Sequence, residues 1–450
     1  MPESWRRRLA LAPVLIFAGC AIYREKPLDP EAELLALGRS GLEGFVVEHV
    51  RPGGGKDASQ APFDLSDGLD EAELVAVALT ANPDLKARRL AIGEARALLV
   101  SAGLWPNPEI GVGWRPGISP PTGFTADAEL LLEVLKPGER SARKQVAVQR
   151  IEQERQAIAA EEWRLATQAR TARLRVLFAQ DAFRLLERET ALREQAMDLV
   201  RRRRQIGEAT ELDASVAALE LSQARGEMRR ERADLECRRA ALNRLLGLPP
   251  GHVLNIQEAR PIRIGLYEDL PEEDLEKRLL QGRPELREME AAYGRSEAEL
   301  RLAILGQYPK LKIGPSYGKE ADGGNFLGVG ASLEIPLFDR NQGGIAAKEA
   351  LRERARAEYT ALLHRLVADA HEALRELRLA GQEVEAGERE VLPIIRAGRD
   401  LLEKALRARE LNLLDWAAAQ ERFLRMEREH LRTLLEYQTA VVRMETVLGR

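Results

Sequence analysis

Beyond residue 19 the chain has no run of 18 consecutive apolar residues, so no single helix of it can carry the chain across a bilayer. It has two cysteines, Cys20 and Cys237, which rules out a disulfide framework, and Cys237 sits inside a helical pattern where it reads as a small packing residue. Five histidines are scattered. His364 and His371 share a helix face at a spacing of seven, too far apart for one metal ion, and no H-E-x-x-H is present. Six methionines and two cysteines without clustering give no soft-metal relay. No catalytic constellation stands out, so neither an enzyme, a resident metal nor a cofactor is expected. Net charge is −4, and loss of residues 1–19, which carry Arg6, Arg7, Arg8 and Glu3, takes it to −6. A mildly acidic chain has no electrostatic case for binding nucleic acid.

What is abundant is charge, at 31%, in a sequence rich in Ala, Leu, Glu and Arg with only 5% aromatic residues, which predicts long helices around a thin core. The N-terminus reads as an address. Trp5-Arg6-Arg7-Arg8 is a basic region, Leu9 to Ala18 is an apolar run too short to span a bilayer, and Phe17-Ala18-Gly19 precedes Cys20. This is similar to a bacterial lipoprotein signal over 1–19, which implies a lipid on Cys20, and Ala21 after it favours the outer membrane; ordinary secretion with cleavage elsewhere is the alternative. Residues 20–66 form an anchor and linker. Gly53-Gly54-Gly55-Lys56 lacks the spacing of a phosphate loop and has no helix pattern after it.

The remaining sequence is a doubled unit. Asn82-Pro83-Asp84-Leu85 is followed by Trp105-Pro106-Asn107-Pro108-Glu109, and 201 residues later Arg283-Pro284-Glu285-Leu286 is followed by Gln307-Tyr308-Pro309. In both places a charged helical run ends at proline and an alternating, Gly-containing run begins. Each copy carries one strand pair: 109–114 with 124–134, and 309–317 with 325–335. A long helix from 139 to 206 carries Phe178, Leu185, Leu192, Leu199 and Ile206 at sevens, turns at Gly207, and returns from Glu211 to Leu246 with Leu221, Met228, Leu235 and Leu242 at sevens. Two such helices form an αα-hairpin. The first repeat therefore covers 67–247, a connector with a short strand covers 248–271, and the second repeat covers 272–450. In the second, a helix is expected over 272–306, a long helix from about Ile345 with a kink at Pro393 and Gly398, and a turn near Arg409. Two hairpins cannot make a free-standing sheet in lipid, so if they reach a membrane several chains must pool their strands into one barrel.

With that order of elements, the chain resembles the TolC-type outer-membrane efflux proteins over about 67–450, and within them the CzcC-like branch paired with heavy-metal efflux pumps. The resemblance rests on Asn82-Pro83-Asp84-Leu85, Trp105 to Glu109, the turn 207–213, Val391-Leu392-Pro393, Leu414-Asp415 and Ala419-Gln420. It implies a mainly α fold with a small β part. Two tandem repeats of long antiparallel helical hairpins would form a trimeric α-barrel tunnel continuous with a 12-stranded transmembrane β-barrel, four strands from each protomer. It implies, further, a passive duct anchored in the bacterial outer membrane, with its tips meeting a periplasmic adaptor and an inner-membrane pump of the RND type.

Candidate residues cluster at the two tips. Asp415 matches the family's tip-proximal aspartate and in a trimer would form a ring of like charges at the aperture; a helix-face ion pair explains it equally well. Asp213 is its first-copy counterpart and a candidate partner for Arg201, Arg202, Arg203 and Arg204. Those arginines read either as a solvated helix end favoured by the dipole or as an adaptor contact. Gly207 supplies the first tip turn, and Arg409 stands where the family has glycine at the second. A protein-secretion duct of the same architecture and a lipid-anchored periplasmic coiled-coil scaffold are the competing readings. A scaffold has no use for two matched Gly/Pro-punctuated hairpins.

Overall fold

The computed structural model describes residues 22–39, 68–116, 123–258, 265, 267, 270–320, 322–408 and 413–449. The expected signal, Cys20 and Arg409 lie outside the described residues. A short helix, α1 (Pro30–Arg39), precedes the repeats. The first repeat runs α2 (Glu71–Ala81), α3 (Pro83–Ala102), β1 (Glu109–Pro116), β2 (Phe124–Val134), α4 (Glu139–Gln205) and α5 (Glu211–Leu245). The second runs α6 (Glu272–Gly282), α7 (Pro284–Leu305), β3 (Lys310–Lys319), β4 (Asn325–Glu334), α8 (Gln342–Ala386), a π turn (Gly387–Val391), α9 (Leu392–Arg407) and α10 (Leu413–Leu448). The order is the one the duplication predicts.

Two boundaries differ from expectation. The helix expected over 272–306 is broken at Arg283, because Pro284 pushes the residue before it out of the helical region (φ −79°, ψ 115°), as Pro83 does to Asn82. The second long helix starts at Gln342, three residues early. Where the kink is expected, the helix changes to a π turn just before Pro393, which has no N–H to donate and whose ring would meet the carbonyl one turn back. Gly398 follows in α9, against the ring of Phe423.

The strands form one antiparallel sheet in the order β1-β2-β3-β4, so the two repeats join through β2 and β3, with Leu132 opposite Ile313 and Val134 opposite Leu311. The connector contributes a parallel bridge, Leu69 to Ile256.

Each repeat closes on itself at its helix–proline joint. The Asn82 side chain accepts a hydrogen bond from the N–H of Leu85, capping α3, and donates one to the carbonyl of Leu245, holding the far end of α5. Arg283 does the equivalent in the second repeat, donating to the carbonyl of Thr446 at 2.9 Å. The glycine ending each return helix, Gly247 or Gly449, has positive φ and lies against that joint; a Cβ on Gly247 would stand 2.5 Å from the carbonyl oxygen of Ala81. Around these joints lie two cores: Leu74, Val77, Leu85, Leu242 and Leu246 in the first repeat, and Leu275, Leu286, Leu374, Leu377, Tyr437 and Met444 in the second. Arg170 of α4 ties them together, pairing with Glu71 of α2 and Glu445 of α10.

α4 is 67 residues long, about 100 Å at 1.5 Å per residue. Its most buried heptad positions are Ala179, Leu186, Arg193 and Val200, one residue beyond the expected Phe178 seam, and Ile206 is 69% exposed in the turn. The seam is rotated because this part of α4 packs against α10 as well as its hairpin partner α5. Cys237 is exposed on α5, contrary to its expected packing role.

Replacing Gly247 by alanine is expected to destabilise the protein by about 2 kcal/mol or more, through positive φ and the backbone contact. Gly226, mid-helix in α5 with only arginine tips within 4 Å, is expected to gain up to about 1 kcal/mol on the same change. Thermal unfolding of the two variants, followed by circular dichroism, should shift in opposite directions.

Candidate functional site

The sheet has two chemically distinct faces. The register places Ile110, Val112, Trp114, Phe124, Leu130, Leu132, Ile313, Tyr317, Leu327, Val329 and Leu333 on one side. These apolar side chains face outward, with Val112 78% and Leu327 81% exposed. The opposite side carries Glu109, Arg115, Asp127, Glu129, Glu133, Lys310, Lys312, Ser316, Ser332 and Glu334, spaced by glycines. Its cations are paired: Arg115 with Asp127, Lys310 with Glu334 and Lys312 with Glu109. An apolar outer band and a polar inner wall, on strands of 8 to 11 residues, are the pattern of a barrel wall in lipid. Among the described residues no strand lies beside the outer edges of β1 and β4. No described helix is long and apolar enough to cross a membrane.

At the far end of α4 the chain turns through Gly207, which has φ +79° and open space around it. The N–H of Gly207 donates to the carbonyl of Arg204 and that of Glu208 to the carbonyl of Arg203, the paired bonds of a Schellman ending. Thr210 then caps α5. Its hydroxyl accepts from the N–H of Asp213, whose carboxylate accepts from the N–H of Thr210. Asp213 is thus occupied in a capping box, and among the described residues no ion pair joins it to the arginine run for which it was a candidate partner; the Thr-x-x-Asp spacing was the sequence signal for the cap. The Thr210 hydrogen bonds hold the Asp213 carboxyl below the usual range. Of the four arginines, Arg204 pairs with Glu211 at 2.7 Å and Arg201 with Asp198, while Arg202 and Arg203 have no ion pair among the described residues.

Asp415 is exposed in the first turn of α10, where the helix dipole favours a carboxylate. Its neighbour Trp416 packs on the apolar cluster of the first tip, Ala196, Met197, Val200, Ala214 and Ala217. The two hairpins therefore touch just behind Asp415.

Further up, the sequence reading missed a polar junction. Arg193, 8% exposed, occupies an otherwise apolar heptad position of α4; it pairs with Glu220 of α5 and reaches Glu421 of α10 at 3.1 Å. Arg425 also pairs with Glu421, and Arg428 of α10 with Glu227 of α5. The Arg193 and Arg425 hydrogen bonds outweigh burial and hold the Glu421 carboxyl below its ordinary range. A charged residue inside the Ala179–Leu186–Val200 series was the available signal.

A family model described as "Outer membrane efflux protein" matches residues 74–248 and 275–450. The chain is 23% identical over 385 residues to the cobalt-zinc-cadmium resistance protein CzcC of Cupriavidus metallidurans, covering 84% of this chain and 89% of that protein. Among solved structures it is similar to a membrane protein from Pseudomonas aeruginosa (TM-score 0.71, 21% identity, covering 88% of this chain and 96% of that one). It is also similar to the Campylobacter jejuni CmeC outer membrane channel (TM-score 0.69, 14% identity, 96% and 94%). The structural likenesses are of fold.

Removing the Arg193 guanidinium takes the partner of Glu220 and one of the two partners of Glu421, so Arg193→Ala is expected to cost about 1–3 kcal/mol. The pair made by Arg425 is largely solvated, so Arg425→Ala is expected to cost less than about 1 kcal/mol. Thermal unfolding of the two variants checks the contrast.

Proposed function

Because the chain belongs to the outer membrane efflux protein family, we propose that it is the exit duct of a tripartite efflux system, a passive channel and not an enzyme. Three copies pool twelve strands into a barrel in the outer membrane, and their helical hairpins continue as a tunnel into the periplasm. The tips, around Gly207 and Asp415, meet a periplasmic adaptor and through it an inner-membrane pump of the RND type. The observation that carries this reading is the four-stranded sheet, apolar on one face and charged on the other, with both edges open. Exposed apolar pairs at heptad spacing, Leu212 and Leu219 on α5 and Ile394 and Leu401 on α9, offer further surface for neighbouring protomers.

The relative named for cobalt-zinc-cadmium resistance supports heavy-metal cations as the cargo. Selectivity rests with the pump, since the duct need only let the ion pass. Three copies of Asp415 place a ring of carboxylates at the aperture, which protonation or cations would relax. The same reading makes Cys20 the lipid-bearing first residue of the mature chain.

Purified full-length protein is expected to run as a trimer by native mass spectrometry and to conduct ions in planar bilayers; a non-conducting monomer would refute the duct. Asp415→Ala is expected to raise the current or alter its dependence on divalent cations, and an unchanged response across pH and divalent concentration counts against the gate. Cys20→Ser should remove the lipid from the mass of the N-terminal peptide.

A further inference from the structure

Where α4, α5 and α10 converge, four carboxylates meet three guanidiniums, about 21 Å along α4 from the Gly207 turn at 1.5 Å per residue. Three of the carboxylates are matched: Glu220 with Arg193, Glu421 with Arg193 and Arg425, and Glu227 with Arg428. The fourth is Glu189, one turn before Arg193 on α4. It is 6% exposed, and its Oε2 is buried without a hydrogen-bond partner. It lines a cavity of about 190 Å³ together with Arg193, Glu220, Glu227, Glu421 and Arg428. Among the described residues no group of three His, Cys, Asp or Glu side chains is placed to hold a metal ion. The arginines on the same wall disfavour any other cation. A proton is the one positive charge that needs no coordination shell.

We propose that Glu189 is a proton-binding site that sets how tightly the two helical hairpins grip each other. With the carboxyl neutral, three acids and three bases balance, and its O–H supplies a donor to the polar cavity. With the carboxyl ionised, a fourth acid faces three bases and its buried Oε2 has no hydrogen bond, and the contact between α4 and α10 loosens. The charged groups facing Glu189 are Arg193 from its own helix, Glu220 and Glu227 from α5, and Glu421, Arg425 and Arg428 from α10.

Burial is the largest influence on this carboxyl and pushes its pKa above the ordinary glutamate value; Arg428 and Arg193 pull it down, and Glu227 and Glu421 push it up again. The sign follows from linkage. A raised pKa means the folded junction holds the proton more tightly than the unfolded chain does. The stabilisation is therefore complete below the ordinary glutamate pKa and is lost as pH rises through the raised one. The proton site stands on the junction alone, while its effect on flow rests on the duct reading above.

Hydrogen–deuterium exchange of the full-length trimer at pH 5 and pH 8, corrected for intrinsic rates, tests the site. In the wild type, segments 186–200 and 418–428 are expected to be several-fold better protected at pH 5. Glu189→Gln keeps the shape and a donor of the neutral acid and should show the acid-state protection at both values, while Glu189→Met, which can neither titrate nor donate, should show the same protection at both values whatever its level. A wild type without the pH difference, or variants that retain it, overturns the proposal. With Asp415→Ala present in every sample, so that the aperture ring does not titrate, bilayer currents over the same range should lose their pH response on Glu189→Gln. If exchange responds to the proton but the current does not, the link to flow falls; a trimer that conducts at neither pH falsifies the duct reading and leaves the exchange result standing.

Discussion

A strand edge in lipid has nothing to bond to, and the whole molecule is arranged around that constraint. Among the described residues, the outer edges of β1 and β4 present unpaired N–H and C=O groups on a sheet whose outer face is apolar. In water the apolar face is a liability, and in a membrane the edges are. Only closure with further copies meets both demands, so the chain's oligomeric state is written into a sheet that is a minor part of its length. The helices inherit the requirement, since they must hold four strands in one register while reaching far from them.

That reach is secured at the joints where each repeat folds back on itself. Asn82 and Arg283 are chemically unlike, yet each reaches the end of its own return helix, to the carbonyl of Leu245 or Thr446. The positive-φ glycines Gly247 and Gly449 bring the backbones close enough for this. The duplication has kept the contact and let the side chain vary. Between the repeats, ionic ties join the sheet pairing and the Trp416 contact: Arg170 with Glu445 near the joints, and Arg193 with Glu421 and Arg428 with Glu227 nearer the tips. Interfaces held by charge can be reset by a change in charge; an apolar core cannot.

Most of this architecture is legible in the sequence because it depends on local signals: proline positions, a change of periodicity from 3.6 to 2, and a constant offset between copies. The short helix ahead of Pro284 shows the limit of that reading. Its break was visible by analogy with Pro83, but a continuous Leu/Glu/Arg pattern suggested one helix. The rotated seam on α4 was not legible, since it depends on how many helices surround that one. Glu189 and Arg193 were missed for the same reason. Arg193 finds its partners 27 and 228 residues away, and a charge on a long, charge-rich helix does not announce which neighbour will bury it. At the tips, Asp213 turned out to be committed to a local cap, while Asp415 is exposed in the first turn of α10.

The π turn gives the two halves different mechanics. α4 is one unbroken ladder of hydrogen bonds, whereas its counterpart is α8 and α9 hinged at Gly387–Val391 and again weakened by the missing donor of Pro393. By shape alone, a ring of three such chains would have six nearly equivalent struts. By stiffness it has three rigid posts alternating with three jointed blades. In each chain, bending is easiest at the π turn of the second half, while the first half has no such weak point along its long helix.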